Sequence, residues 1–408
     1  MLSLANYARL PAMHGYLHDA QRRLVEKKML ARVWKYWAIE NLWGNFSPET
    51  DPIGRDNVMY SGWYAAQIGL YEAATGDRSY EAPGAIRLTD ARGRTHLHSY
   101  ASTVQQLAAN ERSSAFCLFP CEPNWIYPLC NNQAVIGIKI FDRLNGTRFW
   151  ADVEADYRRH LEAEFVDVDG HMILIRSART GLTIPGLSSS KEDAIFAFWM
   201  HAVFPDLARR AWAIARHELF TTRDGSLALI PLKPWLDPGN YKLNTAYALG
   251  ALAMAACEMG DTEALAAVRV ELAQLDSRHH GGVLSYPGCS TWTHAFMLKS
   301  RLGRANALKD LVDEGLPAAW RDGPVIVEAA YPQVLVAKAV SDGRALEAVL
   351  HPGGPAARVT LGIGRLRPGA AYRLEGADEQ AAVADERGTI RLTVELGGRR
   401  ELRVLPRD

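Results

Sequence analysis

The chain has no excess of charge of either sign. Lys+Arg number 46 against 46 Asp+Glu over 408 residues, a formal net charge of +0. No broad basic field is available for nucleic acid or anionic lipid, so a polyanionic partner is not expected. Long apolar runs are missing too. The best candidate, residues 245–257, fits a buried core helix and falls well short of the roughly 20 residues of a membrane span. Cysteine is scarce and odd in number, five in all, which predicts free thiols in a reducing compartment rather than a disulfide framework. Residues 1–10 lack both a basic start and an apolar stretch of signal-peptide length, so the chain reads as unprocessed and cytoplasmic. P-loop, Rossmann glycine triad, His-Glu-x-x-His and Gly-x-Ser-x-Gly patterns are all absent. The usual nucleotide, metalloprotease and hydrolase classes are thereby excluded, and no cofactor is expected.

What is present divides the chain. At roughly 150 residues per domain, two or three domains are allowed. All eleven tryptophans and all five cysteines lie at or before Trp320, and residues 331–408 contain neither. That tail alternates apolar and polar residues over 357–363, 371–374 and 389–396, with Gly/Pro turns between. A small antiparallel β-sandwich domain over 331–408 is predicted, following a helical domain over 1–330. Within the helical domain a single pattern recurs: an apolar-periodic helix, a break, then a helix opening on polar residues. Breaks fall at Gly76, Gly146, Pro205, Gly260 and Gly303, and each glycine is expected in the left-handed conformation that ends a helix. Five such hairpins and an N-terminal helix over 15–41 approach twelve helices. The fold class is therefore mainly α, an (α/α)6 barrel with a C-terminal β-sandwich. A β-hairpin around Asp169-Gly170 is expected at the barrel mouth, where chemistry-bearing loops gather.

The densest unusual segment, 116–132, reads Phe-Cys-Leu-Phe-Pro-Cys-Glu-Pro-Asn-Trp-Ile-Tyr-Pro-Leu-Cys-Asn-Asn. Its three prolines predict a structured loop feeding a helix over 131–144. Cys130 then stands at a helix N-terminus, where orphan N–H groups and the dipole lower a thiol pKa. Cys121 precedes Glu122, and Trp125 and Tyr127 follow. The spacings among Cys117, Cys121 and Cys130 match no compact zinc set, so no metal is expected; ordinary buried thiols are the plainer alternative. A second segment, 43–64, ends in a helix that Asp56 or Asn57 can cap. Met59 and Trp63 share one face of it, with Tyr60 and Tyr64 on the next. Three further loops, around Ser189–Asp193, Asp237–Tyr241 and Ser285–His294, set aromatic and polar groups before apolar helices. Loops equivalent by repeat converge on one end of a barrel, and a cavity lined by Trp, Tyr, Phe, Met and Cys suits an uncharged, hydrophobic ligand.

Through Cys121-Glu-Pro-Asn-Trp-Ile-Tyr-Pro-Leu-Cys130-Asn and Arg55-Asp-Asn-Val-Met-Tyr-Ser-Gly, the chain resembles the linalool dehydratase/isomerase family over about residues 30–330. The resemblance implies an (α/α)6 barrel and cofactor-free dehydration of tertiary allylic alcohols to dienes. It also implies isomerisation between primary and tertiary alcohols, in a pocket near the subunit interface of a homo-oligomer. The family's cysteine pair maps to Cys121 and Cys130, and its methionine wall to Met59. Trp63 stands where the family's His is expected, and the all-β tail is a further departure. On this reading Cys130 is the base and Cys121 relays the proton, through Glu122, with a covalent thioether route as the variant. Aromatic faces of Tyr60, Trp63, Trp125 and Tyr127 would stabilise allylic cation character. Asp56 and Tyr241 complete the substrate-binding set. The competing class is a carbohydrate-active (α/α)6 enzyme with Asp56, Glu122 and Asp193 as its carboxylates; a non-catalytic terpenoid binder is a third.

Overall fold

A computed structural model describes residues 2–184, 188–232, 242–280 and 283–407 of the chain. Helices dominate its first three quarters: α1 (Leu2–Arg9), α2 (Gly15–Lys28), α3 (Ala31–Trp34), α4 (Tyr36–Gly44), α5 (Val58–Thr75), α6 (Tyr100–Ser113), α7 (Pro128–Asn145) and α8 (Glu154–Glu164). They continue as α9 (Ser190–Met200), α10 (Pro205–Leu219), α11 (Thr245–Met259), α12 (Thr262–Ala273), α13 (Thr291–Leu302), α14 (Ala307–Asp313) and α15 (Ala318–Asp322). Two-stranded antiparallel ribbons interrupt them: β1 (Ile86–Thr89) with β2 (Thr95–His98), β3 (Trp125–Ile126) with β4 (Arg176–Ser177), β5 (Phe220–Arg223) with β6 (Ser226–Leu229), and β7 (Arg278–His280) with β8 (Val283–Ser285).

Glycine ends the helices where expected in three cases. Gly76, Gly146 and Gly260 follow α5, α7 and α11 at φ 76°, 66° and 72°. Gly303 after α13 departs from the expectation, with an extended φ of −75°. Its need for glycine is close approach: a Cβ there would lie 2.4 Å from the Lys299 carbonyl oxygen. The single helix expected over 15–41 is three. Leu30 is extended (φ −67°, ψ 127°), and the buried Trp34 indole donates to the Met29 carbonyl at 3.1 Å. The bend lets Trp34 and Trp37 reach the core, which repays the interrupted ladder through the large area an aromatic side chain buries. The hairpin at Asp169-Gly170 forms as a bridge between Val166 and Met172, with Gly170 at φ 92°.

Helices α5 and α7 lie at the centre, and α5 is buried on nearly every side. Small residues let them touch. A Cβ at Gly137 would come within 2.7 Å of the Ala65 Cβ, and one at Gly62 within 3.1 Å of the Cys130 carbonyl oxygen. Because interiors are close-packed, this contact brings the first turn of α7 against α5.

The C-terminal strands are β9 (Val325–Glu328), β10 (Val334–Ser341), β11 (Leu346–Pro352), β12 (Ala357–Gly364), β13 (Ala371–Glu375), β14 (Ala381–Val383), β15 (Ile390–Leu396) and β16 (Arg400–Pro406). They form a five-stranded sheet, β10-β11-β16-β13-β14, and a three-stranded sheet, β15-β12-β9. Alternation sets which face is buried: Ile390, Leu392, Val394 and Leu396 of β15 point inward. Their apolar cluster also takes in Leu10, Ala12, Met13 and Leu17. The N-terminal segment is tied there by Ile326 N–H to Ala12 O at 2.7 Å and His14 N–H to Ile326 O at 3.0 Å.

Candidate active site

The Cys-Glu-Pro-Asn run folds as its residue types require. Trp125 N–H donates to the Glu122 carbonyl at 2.9 Å, Pro123 occupies the second turn position, and Asn124 the third at φ 78°. These are the marks of a type II turn, which wants Pro and then Gly or Asn. Cys121 N–H closes the loop onto the Trp125 carbonyl at 2.8 Å. The Asn124 carboxamide oxygen accepts from Ser177 Oγ at 2.8 Å and from Arg179 N–H at 3.0 Å, while β3 pairs with β4. Asn131 clamps the loop's other side. Its carboxamide accepts from Phe119 N–H at 3.0 Å and donates to the Phe119 carbonyl at 3.1 Å. Pro128 opens α7, three residues earlier than the expected start at 131, because the first turn needs no N–H from proline. Cys130 is the third helical residue.

A second helix N-terminus meets the same loop. Asp56 and Asn57 are both left-handed, at φ 52° and 55°, a conformation that costs about 1–2 kcal/mol per non-glycine residue. Neither caps α5 through its side chain, contrary to expectation: Val58 N–H bonds the Pro120 carbonyl at 3.2 Å instead. The Asn57 carboxamide is spent holding the turn, donating to Pro52 O and accepting from Tyr36 Oη, each at 3.0 Å. The strained pair thereby sets the start of α5 against the cysteine loop, with the Met59 backbone beside Cys121 and acting to lower its thiol.

The two thiols interact directly with each other, and Trp63 Nε1–H donates to Cys130 Sγ at 3.4 Å. Their environments push them apart. The hydrogen bond from Cys121, helped by that from Trp63 and by the charge of Lys28, holds Cys130 below the ordinary thiol value against the opposing effects of burial and Glu122. Burial, and then the bond to Cys130, pushes Cys121 well up. Cys130 is thus disposed to be the thiolate and Cys121 the thiol. Trp63 in turn packs edge-on against Trp199 at 5.5 Å and Trp292 at 5.1 Å between ring centroids, an aromatic wall beside the sulfur.

Three residues that the sequence did not single out surround the pair. Burial lowers the Lys28 ammonium to about 8, and its Nζ lies 5.7 Å from the Tyr60 ring centroid. Burial, with Glu122 nearby, raises Glu40 to about 7, and Glu122 is itself raised by burial. Tyr36, one turn before Glu40 on α4, is raised by burial and by Cys121, Glu40, Cys130 and Glu122. The i,i+4 spacing of Tyr36 and Glu40 is the only local signal, and any amphipathic helix has it.

Cys121, Cys130, Met59 and Trp63 are thus brought into direct contact, with Glu122 next to Cys121 in the turn. Trp125 and Tyr127 lie half-buried on the same loop, Tyr127 as the residue preceding α7. Tyr60 is buried, and its hydroxyl donates to the Lys28 carbonyl at 2.8 Å, so it contributes a ring and no free hydroxyl. The Asp56 carboxylate accepts from Asn45 Nδ2 at 3.0 Å. Asp193 stands in the first turn of α9, as expected, and its carboxylate is committed to the hairpin before that helix: it pairs with His171 Nδ1 at 2.5 Å and accepts from Met172 N–H at 2.9 Å. Tyr241 lies outside the described residues.

Among solved structures, a GH127 β-L-arabinofuranosidase from Geobacillus stearothermophilus T6 is similar at 11% identity and a TM-score of 0.34, over 95% of this chain and 80% of that one. A family model described as linalool dehydratase/isomerase matches residues 1–292, a span that includes Lys28, Tyr36 and Glu40 and ends before the tail strands. On that match, the chain belongs to the linalool dehydratase/isomerase family of enzymes.

Proposed function

We propose that this enzyme is a cofactor-independent hydro-lyase that removes water from tertiary allylic alcohols, linalool or shorter alkenols, to give dienes, and that it also moves the hydroxyl group between allylic positions. The observation that carries the reading is the thiol pair, with Cys130 disposed to thiolate by two donors and Cys121 held as a thiol. In the proposed step Cys130 takes a proton from the carbon next to the carbinol centre, the C–O bond breaks, and the departing hydroxyl takes the Cys121 proton. Water and diene leave. The proton on Cys130 returns to Cys121 along their shared hydrogen bond, restoring both groups. Glu40, raised to about 7 by burial and by Glu122, and Glu122, raised by burial, are the carboxyls that would assist proton movement at the pair. Met59, Tyr60, Trp63, Trp125 and Tyr127 would supply apolar and π surface, with Asp56 and Tyr241 proposed as further substrate-binding residues.

The proposal includes the larger frame: hairpins closed into an (α/α)6 barrel over 1–330, a β-sandwich domain over 331–408, and a cytoplasmic setting suited to five free thiols. Among the described residues no helix is long and apolar enough to cross a membrane. A sugar-processing reading has less support, since Asp56 and Asp193 are each committed to protein partners. Wild-type protein incubated with linalool and with short tertiary alkenols under reducing conditions should release dienes detectable in the headspace. Absence of diene and of isomerised alcohol with every substrate would sink the reading.

Self-association belongs to the same proposal. Ile39, Leu42 and Trp43 recur at i, i+3 and i+4 on α4 and are 65%, 47% and 74% exposed, and Phe46, just past the helix end, is 83% exposed. A cluster of exposed apolar side chains of this kind marks a protein contact, and it lies on the segment that carries Tyr36 and Glu40. Trp43→Glu combined with Phe46→Glu should convert the assembly to monomer in light scattering. A wild type that is already monomeric would contradict this.

A further inference from the structure

Two buried polar groups beside the thiol pair have no hydrogen-bond partner among the described residues: both amide atoms of Gln133 and the indole Nε1 of Trp199. Gln133 is fully buried and Trp199 nearly so. Their placement converges. Along α7, Ala134 and Gly137 lie against α5, and Asn132 faces α9, with its Nδ2 3.8 Å from Met200 Sδ. At about 100° per residue, position 133 falls on the arc between these two faces, one turn beyond Cys130. Trp199 on α9 packs edge-on against Trp63 of α5, Trp63 is the donor to Cys130, and Gln133 stands one turn beyond Cys130 on the same helix.

A buried carboxamide with all its bonds unmade is unfavourable, since it has lost water and gained nothing. Replacing it by an apolar residue of the same shape would relieve the penalty, so its presence calls for a ligand. We propose that Gln133, together with the Trp199 N–H, forms a hydroxyl-binding subsite that orients the substrate alcohol against the thiol pair. The assignment rests on the alkenol reading above. A hydroxyl group is donor and acceptor at once. The Gln133 carbonyl oxygen accepts its proton, and the Gln133 amide or Trp199 indole donates to its oxygen. A site built to bond a hydroxyl rejects the analogue that lacks it, because its own polar groups are then left unpaired.

The test uses a saturated alcohol that lacks the allylic system, tert-amyl alcohol, and its methyl-for-hydroxyl isostere, neohexane. Binding to the full chain is followed by tryptophan fluorescence. Wild type should prefer the alcohol by about tenfold or more. Gln133→Met and Gln133→Leu should abolish that preference with neohexane binding kept, and should unfold at the same or a higher temperature than wild type. Trp199→Phe should lose part of the preference. An undiminished preference in both Gln133 variants would overturn the proposal, as would a lowered unfolding temperature with preference intact, which marks the amide as structural. If wild type forms dienes yet shows no preference for the alcohol, this subsite alone fails. If it binds neither probe and forms no diene, the alkenol reading fails with it.

Discussion

Replacing Cys130 with alanine is expected to lower kcat/KM for diene formation by about 10²–10⁴-fold, the range for losing a positioned general base. Cys121→Ala should cost a similar factor by a different route. It removes the proton donor to the leaving hydroxyl and one of the two donors that keep Cys130 low. The pH dependence separates chemistry from structure. If the Cys130 thiolate is the base, activity rises as pH passes upward through its pKa. Trp63→Phe keeps an aromatic ring but deletes the Nε1–H that bonds the sulfur. A hydrogen bond to a charged group is worth about 1.5–3 kcal/mol, and one pH unit corresponds to about 1.4 kcal/mol. The rising limb should therefore move up by about one to two units, and the ultraviolet thiolate absorbance should titrate with it. A Cys130→Ala enzyme within tenfold of wild type would end the assignment, and so would a Trp63→Phe limb that stays put or moves down.

The second large effect concerns folding. Glu258 on α11 is fully buried and accepts from His201 Nδ1 at 3.2 Å, Lys299 Nζ at 3.4 Å, and the N–H groups of Leu308 and Lys309 at 3.0 and 3.2 Å. One carboxylate thus joins α11, α13 and the start of α14 with the residue that ends α9. Lys299 is fully buried as well. Glu258→Ala strands that ammonium and two backbone donors, and breaking a buried pair from one side costs about 3–5 kcal/mol. Urea unfolding should show the loss, with exposed Glu271→Ala as an unaffected control. A change below about 1 kcal/mol would mean that the network holds little. Lys299→Met in the Glu258→Ala background should recover part of the stability, because the stranded charge is gone. The pH sign follows from the direction of the shift. Burial acts to raise Glu258, but His201, Lys299 and the Leu308 N–H together hold it below its ordinary value of 4.5. Its contribution is therefore fully present above that value and is lost as pH falls through the lower folded-state pKa.

Much of the site is readable in the sequence because its signals are local. Pro120, Pro123 and Pro128 announce a loop, and Asn124 suits a left-handed turn position. A cysteine two residues after a helix-opening proline lies in the first turn whatever the rest of the chain does. Gly76, Gly146 and Gly260 end helices for an equally local reason, as do the turns of the tail. The expected span of family likeness, about 30–330, is displaced relative to the match over residues 1–292, because the two motifs that anchor it, at 55–62 and 121–131, lie inside the span and fix neither end. Lys28, Tyr36 and Glu40 carry no comparable signal. They lie about ninety residues before the cysteine loop on ordinary amphipathic helices, and nothing in their own spacing points to thiols. The helix break at Leu30 is equally hidden, since it depends on Trp34 finding the core.

The linear order of residues was enough to settle which groups are available: two cysteines in one proline-bounded loop, aromatics around them, a neutral chain, and an all-β tail. It favoured Cys130 as the more acidic thiol only through its place at a helix N-terminus. A thiol's ionisation depends on donors and charges within a few ångströms, and those come from elsewhere in the chain: the Trp63 indole on α5, Lys28 on α2, and the Met59 backbone that a strained Asp56-Asn57 turn sets beside Cys121. The contact of α5 with α7 through Gly62 and Gly137 brings these groups to the sulfur atoms, and it is that packing which lowers the Cys130 thiol and leaves Cys121 raised.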